Sequence, residues 1–173
     1  MSLELQPVRV EDEPFLFELY ASTRGDEMAL VGWDNPQQEA FLRMQFKAQR
    51  SSYAMQFPNA DYRIIVHDGR AAGRLIVDRS GDDILLIDVA LLPEFRNAGI
   101  GSALVRQVMA EAAHAQKALK LHVEKENRAR HLYDRLGFST IGDNGIYLEM
   151  MWKAESEDLS SIHDLRHQEQ HDR

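Results

Sequence analysis

Arg96, Gly99 and Gly101 stand in the spacing R-x-x-G-x-G, directly after an apolar run over 84–92 and directly before a helical pattern. Those residue types at that spacing suit an anion with several oxygens. Glycines let the backbone approach a ligand closely. The free N–H groups at the start of a helix point at an anion, and the helix dipole favours negative charge there. Arg96 adds a fixed cationic fork. Arg96, Asn97, Ala98, Gly99, Ile100, Gly101 and Ser102 are therefore the candidate cradle for a pyrophosphate. A glycine-rich strand-to-helix turn without a ligand has the same short pattern. A dinucleotide-binding fingerprint, G-x-G-x-x-G, and a phosphate loop ending in Gly-Lys-Ser/Thr are both absent.

A second group lies downstream. Leu121 and Val123 alternate as in a strand, Asn127 follows, Tyr133 comes six residues after Asn127, and Gly137-Phe138 comes four residues after Tyr133. Acyl transfer from a thioester to an amine needs a neutral amine, a donor for the oxyanion and a proton for the leaving thiolate. Tyr133 can supply that proton from a phenol of ordinary pKa near 10. Packing alone would also account for an aromatic here. Asp88 is the best candidate base in the strand before the glycine turn, because a carboxylate within Ile87-Asp88-Val89-Ala90-Leu91 is costly unless it is used or paired. Asp82, Asp83, His122 and Glu124 are weaker candidates.

The two groups, in this order, resemble the GNAT superfamily of N-acetyltransferases over about residues 3–152. The first matches its acyl-CoA signature, Q/R-x-x-G-x-G/A, and the second matches the closing half of its core. The resemblance implies acetyl-CoA as cosubstrate, no metal, and direct attack by an amine in a ternary complex. It implies that Leu91 and Leu92 offer backbone groups to the pantetheine arm like an added strand. That requires their strand to splay from its neighbour, as a bulge would allow. It implies that Asn127 helps hold the same arm, besides capping its helix. The acceptor would be a small-molecule amine or a protein amino group, met by the first two helices, the loop between them and the last hairpin. Glu27 and Trp33 in that loop suit a cationic amine. A non-catalytic CoA-binding sensor or partner module, and an acyl chain longer than acetyl, remain open alternatives.

The elements that must position these residues follow from periodicity. Strands are expected near 3–10, 62–67, 70–79, 84–92, 119–123, 138–141 and 146–152. Pro7 suggests an edge position, and Asp68-Gly69 a tight hairpin. Helices are expected over 12–23, from a cap at Asp34 or Asn35 towards Tyr53, over 101–116, and over 127–136 with Gly137 as its stop. Residues 24–33 read as a loop. The fold expected is α/β (α+β), a mixed sheet of six to seven strands flanked by about four helices. It would form one domain over 1–152, with a charged tail over 153–173 that is poor in apolar residues.

Composition narrows the class. Of 173 residues 44% are hydrophobic, which is enough for one buried core. A net charge of −8 argues against a general nucleic-acid binder. There is no cysteine, so a disulfide, a thiolate metal ligand and a cysteinyl intermediate are all excluded. No signal peptide and no apolar run of about 20 residues is seen. The expectation is a cytoplasmic protein without a membrane partner, with a homodimer as an open possibility. His163, His167 and His171 share a helical face but fit a solvated tail better than a metal site.

Overall fold

A computed structural model describes residues 2–31 and 35–155, without the side chains of 26–31. Seven strands form one sheet. They are β1 (Leu3–Pro7), β2 (Asp61–His67), β3 (Arg70–Asp78), β4 (Ile84–Leu91), β5 (Leu119–Glu124), β6 (Ser139–Asp143) and β7 (Tyr147–Trp152). Their order is β1-β2-β3-β4-β5-β7-β6, and β4 with β5 is the parallel pair. The helices are α1 (Glu13–Val31), α2 (Asn35–Gln56), α3 (Ile100–Ala115) and α4 (Ala129–Arg135). The seven strands and four helices agree with the mixed architecture expected.

One expectation fails. Residues 24–31 are not a loop; α1 runs on to Val31. A single Gly25 costs a helix only about 1 kcal/mol, and the segment after it is rich in good helix formers. Ser22 and Thr23 return their hydroxyls to the carbonyls of Leu19 and Tyr20 at 2.7 Å, so neither stops the helix. Glu27 and Trp33, proposed to meet the acceptor, have side chains outside the described region, as do residues 156–173 of the tail.

The sheet has a helical layer on each face. Ile100, Leu104, Val105, Val108 and Ala112 of α3 pack with Leu75, Val77, Ile84, Leu86, Leu119 and Leu121. That i, i+4, i+5, i+8 spacing is the apolar stripe of an amphipathic helix. α4 lies on this face too, with Leu132 beside Gly101. On the other face Leu16 and Tyr20 of α1 and Leu42 and Phe46 of α2 cover Ile64 and Val66 of β2. No helix among the described residues is long and apolar enough to cross a membrane.

Turn chemistry sets the registers. Asp68 and Gly69 have φ of 47° and 78°, as a two-residue hairpin between β2 and β3 requires. The register of β3 against β4 shifts at Ile76/Val77, where Ile76 faces Asp88 but Val77 faces Leu86, leaving Ile87 as an extra residue.

Candidate active site

β4 and β5 pair only through Ile84–Leu119, Leu85–Lys120 and Leu86–Leu121. Both strands continue beyond that point, β4 to Leu91 and β5 to Glu124, without pairing. They part at the bulge at Ile87, so the sheet opens in the middle, as the resemblance required. The Leu92 N–H donates to Ala72 on the β3 side at 2.8 Å. Antiparallel alternation then turns the backbone groups of Leu91 and Val89 towards the opening. Those groups make no strand pairing to β5, so an amide-rich arm can reach them once Arg96 leaves the Leu91 carbonyl.

The glycine turn lies at the open end of β4. A 3-10 turn over Pro93–Phe95, anchored by buried Phe95, leads to Asn97 with φ of 60° and Gly99 with φ of 80°. Gly99 is the N-cap of α3, and no side chain caps that helix. The N–H groups of Ile100, Gly101 and Ser102 are thus left to an outside acceptor. A Cβ at Gly99 would meet nothing within 4 Å, so the left-handed backbone demands the glycine there. Arg96 is exposed but tethered. Its Nε donates to the Leu91 carbonyl at 2.9 Å, which links the cradle to the strand end.

Asn127 Oδ1 accepts the Ala129 N–H at 2.9 Å and so caps α4, which places Tyr133 one turn in. Gly137, with φ of 95°, ends the helix, and the Phe138 N–H donates back to the Tyr133 carbonyl at 3.0 Å. The Tyr133 and Phe138 rings meet at 5.5 Å. Tyr133 is only 5% exposed. Burial, and then the negative charge of Asp88, push its phenol up to about 12. Its hydroxyl has no hydrogen-bond partner among the described residues, yet it is not a sealed atom. The charge of Asp88 on β4 therefore reaches the phenol of Tyr133 on α4.

Asp88 is not isolated. Arg74 of β3 donates to its Oδ2 from Nη2 at 2.6 Å and from Nε at 3.0 Å, and Oδ1 has no partner among the described residues. Gln49 of α2 accepts from Arg74 Nη2 at 3.3 Å. Tyr53 stands one helical turn beyond Gln49, and Tyr62 of β2 shares the face of Arg74. Tyr53 is pushed up to about 12 by burial first and the charge of Asp88 next, while Arg74 pulls the other way. Sequence reasoning missed Arg74, Gln49, Tyr53 and Tyr62. Of the weaker candidates, Asp83 pairs with Lys120 at 3.0 Å at the closed end of β4, away from the opening. His122 and Glu124 are exposed on β5.

Residues 58–140 match the family model of the acetyltransferase (GNAT) domain. Over that segment the chain carries a GNAT-type acetyltransferase domain. Its matched segment spans β2 to the start of β6 and so contains the bulge, the cradle and Tyr133. The 5-NmdU N-acetyltransferase of Pseudomonas phage PaMx11 is 29% identical over 112 residues, covering 56% of this chain and 79% of the phage protein. The PaiA N-acetyltransferase of Thermoplasma acidophilum, solved in complex with coenzyme A, shares the fold with a TM-score of 0.66 at 17% identity. That match covers 89% of this chain and 100% of the other. The ribosomal-protein-S18-alanine N-acetyltransferase of Escherichia coli gives a TM-score of 0.60 at 18% identity, over 91% and 99% of the two chains. This GNAT protein is accordingly an N-acetyltransferase.

Proposed function

We propose that the enzyme moves an acetyl group from acetyl-CoA to a primary amine by direct attack in a ternary complex. The observation that carries this is the opening between β4 and β5. One end is an uncapped helix start with glycine-enforced turn geometry, and Asp88 lies on the splayed part of β4, where its charge reaches Tyr133. The pyrophosphate lies on the N–H groups of Ile100 to Ser102, with Arg96 released from Leu91 to join it. The pantetheine arm pairs with Leu91 and Val89, and Asn127 flanks it. The amine nitrogen forms a bond to the acetyl carbon, and a strand N–H freed by the splay steadies the oxyanion. The C–S bond breaks, the amine proton passes to Asp88 Oδ1 directly or through water, and Tyr133 donates to the departing sulfur. With a phenol at about 12, Tyr133 keeps its proton throughout the neutral range and is always in donor form.

The acceptor is an amine on a small molecule or a protein. The phage relative is named for 5-NmdU and the E. coli fold neighbour for a protein alanine. The test is release of free thiol from acetyl-CoA across a panel of amines. Turnover of any of them establishes the reaction. CoA binding without turnover of any amine would replace this reading with a non-catalytic CoA-binding module.

A further inference from the structure

Arg74 has a more open arrangement than an ion pair needs. Its side chain is 8% exposed, so the guanidinium has given up most of its water. Asp88 satisfies the edge formed by Nε and Nη2, and Gln49 adds to Nη2. Nη1 carries two further N–H donors and has no partner among the described residues. Nor is it sealed, since the one sealed and unpartnered side-chain polar atom among them is His67 Nε2. It therefore keeps access to solvent, on the sheet face that Arg74 shares with Tyr62 and Asp88. The hydroxyls of Tyr53 and Tyr62 likewise have no partner among the described residues. Tyr62 sits two residues from Ile64, the cross-strand neighbour of Arg74, and so projects from the same face. Tyr53 follows Gln49 by one helical turn and presents the same side of α2.

This face is the one opposite α3 and its cradle, where an acceptor would reach a thioester through the opening. It offers donors in excess and one acceptor, the Oδ1 of Asp88. A cation alone would meet Asp88 but would be repelled by Arg74. A molecule with an amino group at one end and an oxyanion a few bonds away satisfies both. Resting on the acetyl-transfer reading above, we propose that Arg74 Nη1, flanked by Tyr53 and Tyr62, is the acceptor-specificity site, and that the acceptor amine carries a carboxylate or a phosphate.

Calorimetric titration of the CoA-saturated protein with matched amines tests this. The pairs are β-alanine against propylamine and 2-aminoethyl phosphate against ethylamine, with putrescine as a dication. A charge-assisted hydrogen bond to a desolvated guanidinium predicts about tenfold or tighter binding of the oxyanion member of at least one pair. The better pair decides between carboxylate and phosphate. Arg74→Lys keeps a cation for Asp88 but loses the fork, and should bring the two members of that pair within about threefold of each other. Tyr62→Phe, which removes one hydroxyl only, should narrow the ratio less. The CoA-induced rise in melting temperature certifies that each variant is folded. Equal affinities in the wild type, tighter binding of the plain amines or putrescine, no binding of any oxyanion amine, or a ratio untouched by both variants would each overturn the proposal. Selective binding with no turnover of any amine would leave this site standing and remove the acetyl-transfer reading instead.

Discussion

Tyr133 holds its proton at about 12, well above the 8.5 or so of an ordinary thiol. In the proposed reaction full proton transfer to a departing thiolate would therefore be uphill, and the hydroxyl would act chiefly as a hydrogen-bond donor to the developing charge. Tyr133→Phe should lower kcat by about 10², the low end for a general acid, with little change in the CoA dissociation constant. Steady-state kinetics and a CoA titration on both proteins check this. A wild-type kcat would return Tyr133 to packing against Phe138. The same proton affinity predicts a kcat profile without an alkaline fall from Tyr133 below about pH 11. Spacing made the turn and helices that carry Tyr133, Asn127 and the candidate cradle legible in the sequence, because each belongs to a local pattern within one turn or helix. Arg74 belongs to none. Its partner Asp88 is 14 residues away, and the two meet only because β3 and β4 pair across a bulge. No spacing rule could have linked them.

Glycines decide the site at the level of the elements, each for its own reason. A Cβ at Gly73 of β3 would run into the Ala90 carbonyl of β4, which is backbone and cannot step aside. Gly73→Ala should cost roughly 1–3 kcal/mol or more in a denaturant melt, with CoA binding weakened because β4 carries Leu91. Gly101 differs: a Cβ there would lie 3.9 Å from Leu132, an ordinary contact, within a helix that favours Ala. Gly101→Ala should therefore fold at least as stably as the wild type. Any loss of CoA affinity in that variant reports the ligand's close approach to the backbone; unchanged affinity would move the pyrophosphate away from this turn. Alternating apolar residues and Asp68-Gly69 made the strands and the hairpin legible. The extension of α1 to Val31 was not, because Gly25 and the polar residues around it look like punctuation until neighbouring helix formers outweigh them.

The whole molecule carries a pH dependence set by its two most perturbed phenols. Burial, with Asp88 adding to it, raises both Tyr53 and Tyr133 to about 12 from the usual 10. A group whose pKa is raised by folding binds its proton more tightly in the folded state. Its contribution is complete below the unfolded value and is lost as pH climbs through the folded one. Stability should thus be insensitive to these tyrosines from neutrality to about pH 10, and should fall between pH 10 and 12. Two pKa units correspond to roughly 3 kcal/mol for the more deeply buried Tyr133, and to less for Tyr53, where nearby solvent screens the charge. Denaturant melts at pH 9, 10, 11 and 12 measure this, and the Tyr53→Phe and Tyr133→Phe double variant should flatten the decline. Bound CoA should add to stability by mass action at every pH below 10, by about 2.7 kcal/mol at a hundredfold excess over its dissociation constant. If the double variant declined as steeply as the wild type, the alkaline loss would belong to other groups. The two phenols would then be more hydrated in the folded protein than their burial beside Asp88 requires.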